Sequence, residues 1–360
     1  MRKSAAGSLA LIGASIASLI TTAVVAGPSS STGQECAARL SDPAPLSTPD
    51  REWLQRCVSA FTVPSAIPSG TPSSATTTQA GTSTPPTSRP STSLTTPPAT
   101  MWPGPGNTGV PAFWQPATTR NTTLTVTTPG AVVQDILFTN GAGINVRANN
   151  VTIRRVLFQG GKVDGGSGCP AFHLDQVTFT RPGSANGDFP TVQHGNYTAD
   201  RVKMDGVTEG FRVGGAGAFG CGQVTLSNSW VRVQSPDQCQ DWHGDGVQGY
   251  DGPKLIVRNV ALWLDERSCG GTAPFFYPRD QGNTSVDIDR LLVRGGGYSF
   301  RLGMPGTVRN LKLVEGSWFY GPINVRCSVL SVWDAQVATI DSNWQPNNVR
   351  AQACNTESGS

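Results

Sequence analysis

The sequence predicts an all-β fold in which a single chain winds as a parallel β-helix solenoid. The chain has 360 residues, of which 42 are glycine, and only 14% are charged. Long helical arrays are rich in Ala, Glu, Lys and Leu, so this composition disfavours them. Short apolar-polar-apolar runs recur about every 26 residues, with Gly-rich turns of variable length between them. Such a period without helical patterning is typical of coils that stack and pair as parallel strands.

One apolar-polar-apolar tripeptide marks each repeat. Successive side chains of a strand point to opposite faces, so apolar flanks that enter the core send the middle residue outward. We expect the first apolar residues to stack in one buried column: Ile144, Phe172, Val192, Phe211, Val247, Phe276, Phe300 and Ile323. We expect the middle residues to form one exposed strip: Asn145, His173, Gln193, Arg212, Gln248, Tyr277, Arg301 and Asn324.

Every member of this strip can form hydrogen bonds, and none is aliphatic. Arg offers bidentate donors to carboxylates, and Tyr offers a ring face for stacking. The strip therefore predicts a binding surface for a linear polymer rich in hydroxyls and carboxylates. An ordinary solvated face is one alternative, and an internal ladder of stacked amides is another for the Asn and Gln members.

Four segments follow one another along the chain. Residues 1–26 combine basic residues, an apolar run and a small-x-small end at Ala26, which predicts a signal peptide, with an uncleaved anchor as the alternative. Residues 27–61 form a small cysteine-stapled segment. Residues 62–100 contain 28 Ser, Thr or Pro in 39 positions, which predicts a disordered linker. Residues 101–360 form the β-helix domain.

The cysteines agree with export. Eight cysteines are an even number, and in an exported chain they favour disulfides over free thiols. Proximity in the sequence predicts the pairs Cys36–Cys57 and Cys327–Cys354. The expected location is therefore extracellular or at the cell surface.

A cluster of titratable residues precedes Gln248. Alternation in an extended strand puts Asp241, His243 and Asp245 on one face, where they can act as acid, base and charge partner. The glycines at 244 and 246 allow the backbone to bend there. An Asp/His network that only caps a turn is the structural alternative.

Three chemistries compete for this cluster. Abstraction of a proton beside a uronate carboxylate needs a base, for which His243 is the candidate, and a cation to hold the carboxylate. The candidate cations are Arg212, Arg279 and Arg301. Glycoside hydrolysis instead pairs Asp241 or Asp245 with another carboxylate such as Asp280. The third alternative is a calcium ion held by Asp241 and Asp245, although no cofactor is firmly predicted.

Three further residues stand beside the strip. Arg279 and Asp280 follow Tyr277 directly and are candidates for binding substrate, with a self-satisfied surface pair as the alternative. His194 follows Gln193, where a half-buried packing role and a catalytic role are both open.

Two motifs resemble those of a known superfamily. Residues 103–111 (PGPGNTGVP) and 242–248 (WHGDGVQ) resemble the opening and middle motifs of exported actinobacterial β-helix proteins in the pectate-lyase-like superfamily. The resemblance covers about residues 102–354 and implies a right-handed β-helix. Asp241-x-His243 is similar to the Asp-Pro-His motif of alginate epimerases and lyases on this fold. The resemblance implies polysaccharide chemistry. Together with the chemistry of the cluster and of the strip, it leaves Asp241, His243, Asp245 and Arg301 as the catalytic candidates.

The sequence as a whole predicts an exported protein that acts on an anionic polysaccharide, with lyase or C5-epimerase chemistry favoured. A non-catalytic carbohydrate-binding or adhesion protein is the first alternative, and a polygalacturonase-like glycoside hydrolase is the second. A net charge of only +3 disfavours a nucleic-acid partner. We expect a monomer with no membrane attachment once the signal peptide is removed.

The linker leads to a first testable prediction. Limited proteolysis is expected to cut within residues 62–100, because a segment with so few apolar side chains cannot bury a core and stays extended. The expected product begins near residue 101 and keeps its β-type circular dichroism. A stable product that begins before Thr62, identified by mass spectrometry, would contradict the prediction.

Overall fold

The computed structural model describes residues 101–181, 190–215, 221–239, 242–266 and 269–355. Three sequence expectations lie outside these residues: the signal peptide, the Cys36–Cys57 segment and the linker. Asp241 also lies outside them. Within the described residues the protein is all-β, with strands in two sheets.

The strands are numbered in chain order. Among the described residues, the larger sheet has thirteen strands: β1 (Thr118–Arg120), β3 (Val132–Phe138), β5 (Val151–Gln159), β7 (Phe172–Asp175), β8 (Thr178–Thr180), β10 (Tyr197–Asp200), β11 (Lys203–Val207), β13 (Val224–Gln234), β15 (Leu255–Asp265), β17 (Val286–Arg294), β19 (Gly306–Val314), β21 (Leu330–Ile340) and β22 (Pro346–Ala351). The smaller sheet has nine: β2 (Leu124–Val126), β4 (Ile144–Val146), β6 (Val163–Asp164), β9 (Pro190–Gln193), β12 (Glu209–Gly214), β14 (Asp245–Tyr250), β16 (Ala273–Tyr277), β18 (Tyr298–Leu302) and β20 (Gly321–Val325). Short 3-10 helices occur at Arg279–Gln281 and Cys327–Val329.

The chain alternates between the two sheets. Strand β12 pairs in parallel with β14 in the smaller sheet, while β13, which lies between them in sequence, pairs in parallel with β15 in the larger one. Each circuit of the chain therefore adds one layer to both sheets. This arrangement is compatible with a β-helix solenoid and confirms the predicted all-β fold with parallel sheets. The last strand, β22, is antiparallel to β21 and covers the final edge.

Apolar side chains from both sheets fill the space between them. The inward positions of the smaller sheet form one column of Leu124, Ile144, Val163, Val192, Phe211, Val247, Phe275, Phe300 and Ile323. Aromatic rings stack along the interior, as in Phe275 on Phe300, where the ring centroids are 4.7 Å apart. Stacking of like residues from layer to layer builds a continuous core.

The predicted strip is wrong at His173. That residue lies in β7 of the thirteen-stranded sheet, where Phe172 enters the core from the other side. The position between Asn145 and Gln193 belongs to Asp164 of β6. Strand β6 has only two residues and is flanked by glycines, so its apolar-polar pattern is too short to compete with the longer run in β7.

The strip is also wrong at Tyr277, by one residue. Phe275 faces the core and Phe276 points outward, so Tyr277 returns to the interior, where it is fully buried. Its hydroxyl donates a hydrogen bond to the Pro253 carbonyl. Three consecutive aromatic residues satisfy the pattern in either register, and a shift of one residue reverses the faces.

A left-handed backbone residue bends each layer of the thirteen-stranded sheet. These residues have φ between 46° and 63° and are polar: Asp135, Arg155, Gln176, Arg201, Asn228, Asn259, Arg290 and Asn310. A positive φ is unfavourable for residues other than glycine. Side-chain bonds between some of the successive members offset part of this cost. Arg155, for example, donates two bonds of 2.7 Å to the Asp135 carboxylate.

The segment before β1 lies against the thirteen-stranded sheet. The Gly109 amide donates to the Arg201 carbonyl at 2.8 Å, and Lys203 Nζ donates to the Pro105 carbonyl at 3.0 Å. Trp102 is buried in a second apolar cluster on the same side. These contacts cover only part of the outer surface of the larger sheet, because Thr152, His173 and Thr198 of the same sheet line an open pocket.

Disulfides connect segments that are distant in the sequence. Cys327 pairs with Cys354, as predicted, and the described residues also contain Cys169–Cys221 and Cys239–Cys269. Such bonds indicate an oxidising, extracellular type of environment. In the described part of the chain, no helix has the length and apolar character of a membrane span.

Close contact between layers predicts an effect of Gly210→Ala. A Cβ at Gly210 would lie 2.2 Å from the Gly246 carbonyl oxygen, which belongs to the next layer and has no room to move. We expect the variant to lose about 1–3 kcal/mol of unfolding free energy, measured by chemical denaturation. Gly106→Ala, where no atom lies within 4 Å of the new Cβ, is the control and should change stability little. Equal stability of the two variants would contradict this packing.

Candidate functional site

The outward positions of the smaller sheet form a continuous line, here called the outer column. Its members are Thr125, Asn145, Asp164, Gln193, Arg212, Gln248, Phe276, Arg301 and Asn324. Arg212 and Arg301 therefore share one face, as the sequence predicts. With strands about 4.8 Å apart, these two positions are separated by about 14 Å.

A second line lies three residues earlier in each strand and is here called the edge column. Its members are Pro190, Glu209, Asp245, Ala273, Tyr298 and Gly321. Strict alternation would put positions three apart on opposite faces. The strand bends instead at a small residue such as Gly210, whose Cβ position lies 3.1 Å from the core side chain of Val231. The bend places both columns on the outer side of the sheet, where Glu209, Asp245 and Ala273 of the edge column are buried.

Two acids of the edge column are bonded to the outer column. Glu209 accepts hydrogen bonds from Arg212 Nε at 3.0 Å and Arg212 Nη2 at 2.9 Å, and Arg212 Nε also lies 3.0 Å from Gln248 Oε1. Gln248 donates to Asp245 at 3.1 Å, and the second Asp245 oxygen accepts the Ala273 amide at 3.1 Å. Glu209 is 1% exposed and Asp245 is fully buried. These bonds fix the Arg212 guanidinium in one position.

Asp164 anchors the neighbouring layers. Its carboxylate accepts the Gly166 amide at 2.7 Å and lies 3.4 Å from Arg147 Nη2. Burial opposes ionisation of Asp164, but the Gly166 bond and the Arg147 charge outweigh it, so its pKa lies below the usual value. The group is therefore a carboxylate at neutral pH.

His194 lies between this carboxylate and Arg212. Its Nδ1 is buried, 3.6 Å from Asp164 Oδ1, and its side chain is 16% exposed. The Cβ position of Gly215 lies 3.5 Å from Arg212 Cδ and 3.8 Å from His194 Nε2, so the two side chains border the same space. Burial lowers the pKa of His194, the Arg212 charge lowers it further, and Asp164 opposes this effect. The imidazole is therefore neutral at neutral pH and able to accept a proton.

Arg301 occupies the outer column toward the other end. Its guanidinium carbon lies 4.9 Å from the centroid of the Phe276 ring in the adjacent strand. Within the described residues Arg301 forms no ion pair, and its buried Nε has no hydrogen-bond partner. Stacking on an aromatic face holds a guanidinium while leaving its edge donors available for a carboxylate.

The residues of the predicted catalytic cluster occupy different environments. His243 is exposed and precedes β14, whereas Asp245 is buried within that strand. Asp241 lies outside the described residues. The structure thus joins Asp245 to Arg212 through Gln248 and gives His243 a separate, exposed position.

The other residues predicted to bind substrate lie in two different places. Asn145 and Gln193 are partly exposed members of the outer column, and Asn324 is a nearly buried one. Arg279 and Asp280 are exposed in the 3-10 helix that follows β16, beyond the end of the strand.

Two acids of the site were missed in the sequence. Glu209 and Arg212 have the same acid-Gly-apolar-polar spacing as Asp245 and Gln248, and comparing the two segments would have revealed Glu209. Asp164 was hidden by the short strand β6.

No cluster of three or more His, Cys, Asp or Glu side chains within the described ranges could hold a metal ion. The calcium alternative involves Asp241 and stays a prediction. Comparison of the chain with family models, curated proteins and solved structures gives no match.

The bonds between Glu209 and Arg212 predict a strong effect of Arg212→Met. Because the Glu209 carboxylate is almost fully buried, losing the guanidinium should cost roughly 3 kcal/mol of unfolding free energy. Adding Glu209→Gln should recover much of that loss, measured as a double-mutant cycle by chemical denaturation. Arg309→Met, which removes a more exposed pair with Asp287 at 3.6 Å, is the control and should cost less than about 1 kcal/mol. Additive effects at Glu209 and Arg212 would contradict the coupling.

Proposed function

We propose that the outer face of the nine-stranded sheet binds an anionic polysaccharide and removes a proton from a uronate ring, as a lyase or a C5-epimerase does. The observation that carries this proposal is that a neutral, partly exposed imidazole, His194, borders the same space as a fixed guanidinium, Arg212. Arg212 uses Nε and Nη2 for Glu209 and Gln248. Its Nη1 forms no hydrogen bond among the described residues and is the donor that we assign to a uronate carboxylate.

The chemistry follows from these two groups. The proton at C5 is acidified by the adjacent carboxylate, and a cation on that carboxylate stabilises the negative charge that forms when the proton leaves. His194 Nδ1 is buried beside Asp164, so Nε2 is the nitrogen that we assign as the base. Return of a proton to the opposite face gives the epimer. Expulsion of the glycosidic oxygen at C4, with a proton supplied to it, gives an unsaturated end.

This proposal moves the base from His243 to His194. His194 has both a carboxylate beside Nδ1 and the Arg212 guanidinium near its ring, and these two neighbours support it as the base. Asp164 and Glu209 then act as positioning residues, since each holds a group that would face the substrate. We assign Arg301 to the carboxylate of another uronate unit of the same polysaccharide.

Glycoside hydrolysis is less well supported by the same face. A hydrolase needs two carboxyl groups that reach the glycosidic bond. Glu209 and Asp245 lie on adjacent strands, but both are buried and bonded to side chains of the outer column. Neither is therefore placed to protonate a leaving group.

Membership of the pectate-lyase-like superfamily and secretion belong to the same proposal. The alternating parallel sheets and the disulfides support them. Removal of residues 1–26 on export is the expectation from the sequence.

His194→Gln tests the proposed chemistry. In D2O, with polygalacturonate, alginate and a glucuronate-containing glycan as substrates, we expect the wild-type protein to incorporate deuterium at C5 or to form unsaturated ends, measured by NMR and ultraviolet absorbance. His194→Gln should lose this activity by at least about 100-fold while keeping glycan affinity. His243→Gln is the matched comparison and should retain activity.

The pH dependence of turnover is a second test of His194 as the base. Only the neutral imidazole accepts a proton, and the lowered pKa of His194 keeps it neutral to lower pH. The rising limb of kcat/KM, which reports the free protein, should therefore lie below pH 6.5, the ordinary value for His. Loss of activity in His243→Gln alone would restore the base to His243. New reducing ends without unsaturation would support the hydrolase, and affinity without any turnover would support the non-catalytic binder.

A further inference from the structure

Three aromatic residues at the C-terminal end of the edge column form what we call the aromatic patch: Tyr298, Phe319 and Tyr320. Phe319 is 81% exposed and Tyr320 is 71% exposed. The Phe319 and Tyr320 rings meet edge to face at 4.8 Å, and the Tyr298 and Tyr320 centroids are 5.7 Å apart. The rings therefore contact one another while presenting much of their surface to solvent.

Backbone bonds hold the patch in place. The amides of Phe319 and Tyr320 donate to the carbonyls of Gly296 and Gly297 at 3.0 Å and 2.7 Å. The Cβ position of Gly297 lies 3.0 Å from a carbon of the Tyr320 ring, so that ring packs directly on the backbone. Exposed aromatic surface that is fixed in this way loses little conformational entropy when a ligand covers it.

The patch continues the proposed binding face. Tyr298 belongs to the same edge column as Glu209 and Asp245 and pairs with Gly321, the residue after Tyr320. In the same strand as Tyr298, Arg301 stacks on Phe276. Arg212 and the patch are about four strand spacings apart, or about 19 Å, along the direction in which a linear polymer would lie.

We propose that the aromatic patch is a sugar-stacking subsite that binds the non-reacting part of the polysaccharide. A pyranose ring offers a face of C–H groups to an aromatic ring, and the tyrosine hydroxyls offer hydrogen bonds to its edge. The substrate is then a polymer long enough to reach from Arg212 past Arg301 to Tyr320. This inference rests on the proposed function, because the face shared with Arg212 and Arg301 identifies the occupant as a glycan.

Phe319→Ala combined with Tyr320→Ala tests the subsite in the full chain. Isothermal titration calorimetry with the three anionic glycans and with a neutral glycan measures affinity, and turnover at saturation measures the chemical step. We expect the double variant to bind its preferred glycan about tenfold more weakly, with kcat and melting temperature unchanged, because the lost contacts lie away from the reacting ring. Phe113→Ala removes an aromatic ring that is 96% exposed in the segment before β1, and it should bind as the wild type does.

The outcomes separate this inference from the proposed function. Unchanged affinity in the double variant overturns the subsite and leaves the His194 chemistry standing. Affinity only for the neutral glycan, lost in the double variant, supports the subsite and overturns the anionic substrate. No affinity for any glycan overturns both. Sedimentation that shows a wild-type dimer, abolished in the double variant, identifies the patch as a contact between copies and overturns the subsite.

Discussion

Backbone hydrogen bonding between successive layers determines where the side chains of the candidate site lie. Parallel strands about 4.8 Å apart place equivalent residues in columns, whatever their distance in the sequence. Arg212 and Gln248 are 36 residues apart, yet their side chains bond at 3.0 Å because β12 and β14 are neighbours. The same closeness leaves no room for a side chain at Gly210. The stacked core, the bend at Gly210 and the outer column all depend on this spacing between strands.

Glu209 and Asp245 are buried acids on adjacent strands, and hydrogen bonds within the site compensate their charges. Two buried acids on adjacent strands would repel each other and lose their hydration. Arg212 neutralises Glu209, and an amide from Gln248 and a backbone amide satisfy Asp245. Because the acids use only part of the available donors, one Arg212 nitrogen keeps its hydrogen-bonding capacity, as does the Arg301 guanidinium among the described residues. Such prior ordering reduces the reorganisation that binding and catalysis require.

The sequence predicted the fold class and most of the face, because a period of two within each strand and a repeat along the chain are both visible in the pattern. It failed where the pattern was degenerate. Phe275, Phe276 and Tyr277 fit either register, and a two-residue strand at Asp164 carries almost no periodicity. The contact of Glu209 with Arg212, three residues later in the same strand, depends on a backbone bend that strict alternation does not predict.

The spacing of the columns is constant, but the length of chain between strands is not. Asn145 and Asp164 are paired neighbours separated by 19 residues, whereas 36 separate Arg212 from Gln248. Insertions in the segments that connect the strands therefore leave strand register unchanged. They alter only the loops beside the outer face of the nine-stranded sheet. The lengths of these loops can therefore change in evolution while the strands of the face stay the same. A scaffold of this kind acquires new ligand selectivity when a connecting loop becomes longer, and the core that keeps it folded needs no change.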